Sequence, residues 1–520
     1  MGKWLLGALA LPPAAALAVC LAAATPDSAA HAAGPLPNVL WVVWDTVRAD
    51  HLSLYGYPKP TTPHLEEWAK QARVFDDCIS TASSTIPSHA SMFTGLLPTQ
   101  HGANNRQKVL VQQHVTFAEL LRTWGYQTYL FSANPHISAE LSFDQGFQVA
   151  EHPWDAKYRD EAVRIVRAKL APADRSSELS ERLRSGEEDE LGPWSVKASG
   201  ELAQRGLEEW LAKRDPERPW FAFLNYMEAH RPFLPSEAHR RRVMPPEQVA
   251  RSYEIDRSWL PMWSFVFGLH EYSEEELAIM AATYDATLAE LDDLFHALLE
   301  SLRAKGLLDN TVVVLTSDHG EHLGEHHMLD HQYSLYNGLI RVPLVVRDPA
   351  RFPAGRDASP VVTFDLFPTL LERIGIDDPD RENRPSRTLL SPDPARVRLA
   401  EYAAAMPGPI ELVQRRYPQF DAARWQRRLR ALVDDGWKLI WASDGGRELY
   451  DYAGDRGETK DLLQERRDVT ERLSSQLDAI TASLKPLHGA GAGDTELSDE
   501  QRRRLESLGY IEPAGEGAPR

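Results

Sequence analysis

The chain has 520 residues, and its 57 Lys and Arg residues against 76 Asp and Glu residues give a net charge of −19. This acidic excess argues against a nucleic-acid-binding surface, because binding to a phosphate backbone requires basic patches. A hydrophobic content of 43% and a charged content of 26% are typical of a globular protein. The length is sufficient for one large domain and a smaller one.

The first 32 residues have the pattern of a secretory signal peptide. Lys3 precedes the apolar run WLLGALALPPAAALAVCLAAA, and Ala30-His31-Ala32 offers a small-x-small cleavage site. Pro12-Pro13 interrupts the run, which disfavours a membrane span. We therefore expect residues 1–32 to be a signal peptide. The mature protein is then exported, periplasmic or secreted, without a transmembrane span.

Cys20 raises an alternative for this segment. Leu17-Ala18-Val19-Cys20 resembles a bacterial lipoprotein box, although Val19 is a poor residue immediately before the Cys. Lipid anchoring through Cys20 is therefore possible but less favoured than cleavage. The sequence has two cysteines, so removal of Cys20 leaves Cys78 without an intrachain partner.

Three near-continuous apolar runs each lead into polar residues. The runs are NVLWVV before Asp45, WFAFL before a segment that ends at His230, and TVVVL before Asp318-His319. Such runs are typical of parallel strands that are buried on both faces. Tyr284–Arg303 has the apolar stripe of a helix and lies between the second and third of these runs. We predict an α/β fold with a doubly wound mixed sheet flanked by helices, in which ligands bind at the carboxyl ends of the strands.

Changes in composition along the rest of the chain predict where its domains begin and end. A stretch rich in Pro, Asp and Arg at residues 377–394 predicts a domain boundary, so we assign residues 36–390 to the catalytic domain. GWKLIW and ELYDY, within residues 396–486, predict strands of a small C-terminal antiparallel α+β domain. Residues 487–520 are predicted to form a C-terminal helix and tail. The charged stretch 171–192 is predicted to be an exposed insertion.

The segment STASSTIPSHASMFT places Thr85 at a predicted helix start, because Pro87 suits the first turn of a helix. Free N–H groups in that turn stabilise an alkoxide or an incoming anion. With Asp45, Asp318 and His319 at the same sheet edge, Thr85 completes a reasonable ligand set for one divalent cation. A bound cation would make the hydroxyl a usable nucleophile. For the motif in isolation, a plain helix cap is the simpler interpretation.

Four segments in order resemble the signatures of the sulfatase family, which belongs to the alkaline phosphatase superfamily. They are NVLWVVWDTVRAD, TIPSHASMFTG, SDHGEHLGEH and RVPLVV, and the resemblance covers roughly residues 36–510. It implies that Asp45, Thr85, Asp318 and His319 are metal ligands and that Thr85 is the nucleophile. It also implies that His230 and His331 contact the substrate oxyanion and protonate the leaving group. Asn134 and His89 correspond to positions close to the substrate.

A His among the ligands favours Zn or Mn over Ca or Mg for the implied ion. A second ion held by Glu228, His230 and His331 stays an open alternative.

The sequence departs from the family pattern at three positions. Sulfatases carry Cys or Ser in place of Thr85, oxidised to formylglycine, and Arg in place of His89. Thr46 replaces the second Asp of a usual pair. A sulfated Thr cannot release sulfate by C–O cleavage, as the formylglycine aldehyde allows. A phosphorylated Thr, by contrast, can be hydrolysed at phosphorus.

We therefore predict a metal-dependent hydrolase, similar to phosphodiesterases, that cleaves a phosphate mono- or diester through a covalent Thr85 intermediate. The expected substrate is a small-molecule, glycan or lipid-headgroup ester. One alternative is a sulfuric ester hydrolase without formylglycine. Another is a non-catalytic binding protein on the same fold. The sequence does not define the physiological substrate or the oligomeric state.

Overall fold

The computed structural model describes residues 36–171, 174, 194–487 and 505. The predicted signal peptide with Cys20, most of the predicted insertion and most of the predicted C-terminal helix lie outside these residues. Within the described ranges, no helix has the length and apolar character needed to cross a membrane. The described residues belong to one compact unit.

The described residues contain strands that belong to three sheets. They are β1 (Asn38–Trp44), β2 (Arg73–Ile79), β3 (Gln127–Ser132), β4 (Val149–Glu151), β5 (Trp220–Tyr226), β6 (Thr311–Thr316), β7 (His322–Leu323), β8 (Leu329–Asp330), β9 (Leu344–Arg347), β10 (Gly355–Val362), β11 (Arg398–Tyr402), β12 (Leu429–Asp434), β13 (Trp437–Ala442) and β14 (Arg447–Asp451).

The α-helices of the described residues lie between and after these strands along the chain. They are α1 (Pro63–Ala69), α2 (Thr85–Thr94), α3 (Pro98–His101), α4 (Phe117–Thr123), α5 (Arg159–Lys169), α6 (Ser199–Leu211), α7 (Glu237–Val243), α8 (Pro246–Ser252), α9 (Trp259–Val266), α10 (Glu274–Ala304), α11 (Asn337–Ile340), α12 (Leu366–Ile374), α13 (Gly408–Arg416) and α14 (Arg467–Ser483).

The main sheet has eight strands in the order β10-β2-β9-β6-β1-β5-β3-β4. β1 is parallel to both β5 and β6, whereas β9 is antiparallel to both β2 and β6. The apolar side chains of β1 alternate between two cores, with Leu40 and Val42 in one and Val39 and Trp41 in the other. Burial on both faces explains the continuous apolar runs, and the predicted doubly wound mixed sheet is confirmed.

The second sheet is antiparallel, with four strands in the order β11-β12-β13-β14. Leu473 and Leu477 of α14 pack with Leu432 and Leu439 of this sheet in one apolar cluster. The small C-terminal antiparallel sheet is therefore confirmed. The residue at which it separates from the main fold stays a prediction.

Strand register sets the position of the polar residues that follow the main strands. Val43 of β1 is level with Thr316 of β6 and with Asn225 of β5, and Asn225 is level with Ser132 of β3. The residues immediately after these strands therefore meet at one edge of the sheet. This is the edge at which α/β sheets bind ligands.

Candidate active site

Thr85 is the first residue of α2, and Ser84 occupies the N-cap position before it. Its side chain is buried, with the residue only 2% exposed. The Oγ1 atom lies 3.3 Å from His319 Nε2 and accepts a hydrogen bond of 3.3 Å from Asn134 Nδ2. The hydroxyl therefore faces the polar end of the sheet and does not cap its own helix.

Two buried carboxylates accompany this hydroxyl. Asp45 Oδ2 accepts hydrogen bonds from Asn134 at 2.8 Å and Asn225 at 3.2 Å. Asp318 Oδ1 accepts from the amides of Thr46 and His319 at 3.2 and 2.9 Å. Their other oxygens, Asp45 Oδ1 and Asp318 Oδ2, accept no hydrogen bond from the described residues. A buried carboxylate oxygen without a donor is unfavourable unless a cation contacts it.

The predicted metal ligands converge on one point. Ligand atoms of Asp45, Asp318 and His319 all lie within 4.8 Å of one another, and all three residues are buried. Carboxylate oxygens, an imidazole nitrogen and the nearby Thr85 hydroxyl are donors that a divalent cation accepts. The two carboxylate oxygens without donors fit such an ion.

Burial is the largest cause of the pKa shifts of the same groups. Burial, with the neighbouring charge of Asp318, raises the pKa of Asp45 to about 6. Burial raises the pKa of Asp318 to about 7, and burial with His331 lowers the pKa of His319 to about 3. A neutral imidazole is the form that binds a metal, and a cation would stabilise the ionised carboxylates.

His230 and His331 both reach this centre. The His331 ring centroid lies 5.0 Å from that of His230 and 4.6 Å from that of His319. His331 Nδ1 lies 3.1 Å from Asp330 Oδ1 and 3.5 Å from Glu321 Oε2. Burial alone would lower the pKa of His331, but these two carboxylates raise it to about 9. The raised pKa favours the protonated form of His331 beside the ligand set.

The two predicted substrate-binding residues differ in their contacts. Asn134 bridges the nucleophile position and a carboxylate, as its bonds to Thr85 and Asp45 show. His89 lies one helical turn after Thr85, with Nδ1 3.1 Å from the Thr85 carbonyl oxygen. Its ring packs edge-on against Phe223, and burial lowers its pKa to about 3. Their contact with a substrate stays a prediction.

Among the described residues, the carboxylates grouped with His331 are those of Glu321 and Asp330, so a second ion held by Glu228, His230 and His331 stays a prediction. The Glu228 carboxylate accepts hydrogen bonds from the Ser199 hydroxyl and, at 2.9 Å, from the Gly200 amide at the start of α6. These donors satisfy the Glu228 carboxylate. The carboxylates beside His331 come instead from its own loop.

Several residues of this region were missed in the sequence. Asn225 is the second-last residue of β5 and donates a hydrogen bond to Asp45, and its position near a strand end was an available signal. His136 lies two residues after Asn134 and donates its amide to the Asn134 side chain at 3.0 Å. Lys197 is buried and donates to the Met227 carbonyl oxygen at 2.8 Å and to that of His230. No local pattern marks Lys197, because its partners are distant in the chain.

A family profile and several known proteins match this chain. The profile of the family described as Sulfatase matches residues 37–376. The multifunctional alkaline phosphatase superfamily protein PehA of Trinickia caryophylli is 28% identical over 66% of this chain and 74% of its own length. Arylsulfatase K of Bos taurus is 24% identical over 85% of this chain and 81% of its own.

Among solved structures, the phosphonate monoester hydrolase of Agrobacterium radiobacter has the same fold. It superposes with a TM-score of 0.65 at 21% identity, covering 86% of this chain and 95% of its own.

Proposed function

Because this chain belongs to the sulfatase family of the alkaline phosphatase superfamily, we propose that it is a metal-dependent hydrolase of phosphate mono- or diesters with Thr85 as nucleophile. The observation that supports this proposal is the position of the Thr85 hydroxyl, 3.3 Å from His319 Nε2 in the buried cluster with Asp45 and Asp318. A threonine hydroxyl can form a phosphate ester that is later hydrolysed at phosphorus.

Asp45, Asp318, His319 and the Thr85 hydroxyl would hold one divalent ion. When bound, such an ion supplies positive charge that lowers the pKa of the hydroxyl and stabilises the anionic substrate. Asn134 orients Thr85 Oγ1 through its hydrogen bond of 3.3 Å. The start of α2 adds free N–H groups that favour an anion.

The reaction then proceeds in two displacements. The Thr85 alkoxide, having lost its proton to solvent, attacks phosphorus, and the bond between phosphorus and the leaving oxygen breaks. The His331 imidazolium, beside His230, donates its proton to that oxygen. Neutral His331 next takes a proton from a water molecule that attacks phosphorus. This step breaks the bond to Thr85 and restores both groups.

Sulfuric ester hydrolysis at Thr85 is the second candidate. The similarity to a protein named arylsulfatase K over most of both chains favours it. Rates on nitrophenyl phosphate, bis-nitrophenyl phosphate and nitrophenyl sulfate separate the two candidates. Phosphate esters are expected to react faster, and a faster sulfate ester would reverse the assignment.

The covalent step is tested by trapping the intermediate. A quenched turnover with a substrate containing radiolabelled phosphorus should label the peptide that includes Thr85, as located by mass spectrometry. Thr85→Ala should abolish both label and turnover. Thr94→Ala, at the other end of α2, is the matched control, because the Thr94 hydroxyl donates to the Ala90 carbonyl oxygen within the same helix. Turnover that survives Thr85→Ala would refute the proposal.

A further inference from the structure

Residues 102–116 form the loop between α3 and α4, and this loop is fixed beside His331. The Asn105 side chain donates hydrogen bonds to Gln332 Oε1 and to the Ala404 carbonyl oxygen, both at 3.2 Å. Gln332 directly follows His331 in the chain. One end of the loop is therefore held against the segment that carries the proposed proton donor.

The other end of the same loop is fixed against the segment that follows β3. The Leu110 amide donates to the Leu141 carbonyl oxygen at 3.1 Å. Leu110 and Ile137 are fully buried in the same apolar cluster. This segment also contains Asn134, which donates to the nucleophile. Lys108, two residues before Leu110, therefore lies between two contacts that join the loop to the segments of the active centre.

Lys108 is half-buried, and its ammonium group forms no hydrogen bond or ion pair with the described residues. Two other buried lysines pair with carboxylates. Lys169 lies 2.6 Å from Glu290, and Lys438 lies 2.6 Å from Glu458. Burial lowers the pKa of Lys108 to about 8, so its ammonium group is charged at neutral pH. A partly desolvated cation without an acceptor is unfavourable, and an anion bound beside it would remove that cost.

His136 connects Lys108 with the active centre. The His136 amide donates to Asn134 Oδ1 at 3.0 Å, and the His136 ring is buried. Burial and the nearby charge of Lys108 lower the pKa of His136 well below its ordinary value. The charges of His331 and His89 have the same effect on this ring. Lys108 and His331 therefore approach the same imidazole beside the active centre.

We propose that Lys108 binds a non-bridging oxygen of the substrate and makes a phosphate monoester the preferred substrate. This proposal rests on the proposed phosphate-ester hydrolysis at Thr85 and names its substrate class. Of the three equatorial oxygens of the transferred phosphoryl group, a monoester offers a charged one to Lys108. A diester has an ester substituent on that oxygen, which would cover the ammonium group without neutralising it.

Steady-state kinetics of the full chain with Zn²⁺ or Mn²⁺ test this preference at about pH 7, where a phosphate monoester carries about −1.5 to −2 charge. Lys108→Met should lower kcat/KM for nitrophenyl phosphate by about tenfold or more, the loss expected for a charged hydrogen bond. It should change kcat/KM for bis-nitrophenyl phosphate by less than about threefold. Lys108→Arg should keep the monoester preference. Lys70→Met is the matched control, because Lys70 is exposed and pairs with Glu67.

Binding of inorganic phosphate distinguishes a failure of this proposal from a failure of the proposed function. In calorimetric titrations, Lys108→Met should weaken binding of inorganic phosphate by about tenfold or more and leave binding of dimethyl phosphate, a monoanion, unchanged. If the protein hydrolyses no phosphate ester but shows this difference, the proposed function is refuted and the anion site at Lys108 is supported.

Three results would overturn the role of Lys108. They are a faster reaction of the wild-type protein with the diester than with the monoester, equal losses for both esters in Lys108→Met, and unchanged binding of inorganic phosphate in this variant. Equal losses would show that Lys108 only supports the loop. Lys108→Gln, with the same expected results, keeps the test decisive if Lys108→Met does not fold.

Discussion

Asn134 is the one side chain that donates hydrogen bonds both to Asp45 Oδ2, at 2.8 Å, and to Thr85 Oγ1, at 3.3 Å, among the bonds described for this centre. We expect Asn134→Ala to lower kcat by about tenfold or more, because the hydroxyl loses its orientation. Initial-rate kinetics on nitrophenyl phosphate give the measurement.

Asn225→Ala is the comparison for this prediction. Asn225 donates to the same oxygen of Asp45, at 3.2 Å, and no hydrogen bond joins it to Thr85 in the described structure. Its loss should reduce kcat less than the loss of Asn134. Equal effects of the two substitutions would show that support of Asp45, and not orientation of the hydroxyl, explains the result.

The two carboxylates also predict how stability depends on pH and metal. Folding raises the pKa of Asp45 to about 6 and that of Asp318 to about 7, from an ordinary value of 3.8. A group whose pKa is raised on folding destabilises the folded state as pH increases from the ordinary value through the raised one. Between about pH 4 and about pH 7, these groups should therefore reduce the stability of the metal-free protein.

A divalent ion binds the ionised carboxylates, so its stabilising effect should increase over the same interval. Thermal unfolding with chelator and with Zn²⁺ or Mn²⁺ should show a larger metal-induced increase in Tm at about pH 8 than at about pH 5. Asp318→Asn should reduce this difference. The same increase in Tm at every pH would contradict the assignment of the ion to these carboxylates.

The site residues were predictable from the sequence where they follow the end of a predicted strand. Asp45, Asp318 and His319 each follow a continuous apolar run, and the register of the parallel strands then brings them together. Glu321 and Asp330 were not predictable as the neighbours of His331. Their approach depends on how the loop after β6 folds back, and no periodic pattern encodes that path.

At the scale of elements, the loop after β5 depends on a lysine from the segment before α6. Lys197 donates to the carbonyl oxygens of Met227 and His230, which fixes the backbone that presents the His230 ring. We expect Lys197→Met to lower kcat by about tenfold or more, because small displacements of groups around the reacting atoms are costly. Phenyl phosphate should be affected more than nitrophenyl phosphate, since the poorer leaving group depends more on proton donation.

Loss of a buried lysine also reduces stability, so Lys438→Met is the matched control. Lys438 is fully buried and pairs with Glu458 at 2.6 Å on the C-terminal sheet. Its loss should lower Tm while leaving kcat of the folded fraction unchanged. If Lys197→Met lowers kcat equally for phenyl phosphate and nitrophenyl phosphate, Lys197 only supports the fold.

Element boundaries were less predictable than element types. The helical stripe predicted Tyr284–Arg303, whereas α10 extends from Glu274 to Ala304. The missed first turns begin at a capping box, in which the Ser273 hydroxyl accepts from the Glu276 amide at 3.2 Å. The capping box therefore marks the start of α10, which the apolar periodicity alone does not show.

At the scale of the whole molecule, the C-terminal sheet supports the segment that leads into α2. The Glu401 amide of β11 donates to the Thr81 carbonyl oxygen at 2.8 Å. The buried Glu401 side chain accepts from the Thr99 amide at 2.8 Å and from Arg430 Nε at 3.0 Å. Hydrogen bonds therefore join β11 to the chain on both sides of α2.

We expect Glu401→Ala to reduce the free energy of unfolding by about 2–3 kcal/mol, because it removes the acceptor of buried charged and backbone donors. Urea denaturation provides the measurement. Glu465→Ala is the control, since Glu465 forms an exposed ion pair with Lys460 and should change stability by less than about 1 kcal/mol. An equal reduction in the free energy of unfolding for both variants would show that the Glu401 contacts stabilise the protein no more than an exposed ion pair does.

The long separation along the chain between contacting residues has a consequence for biosynthesis. The Thr46 amide and the Asp318 carboxylate that accepts its hydrogen bond are 272 positions apart. On the ribosome, Asp45 and Thr85 emerge well before Asp318 and His319, and Glu401 emerges later still. A partly synthesised polypeptide thus carries the Thr85 hydroxyl without Asp318 and His319, and the buried cluster can form only after both of these residues have been synthesised.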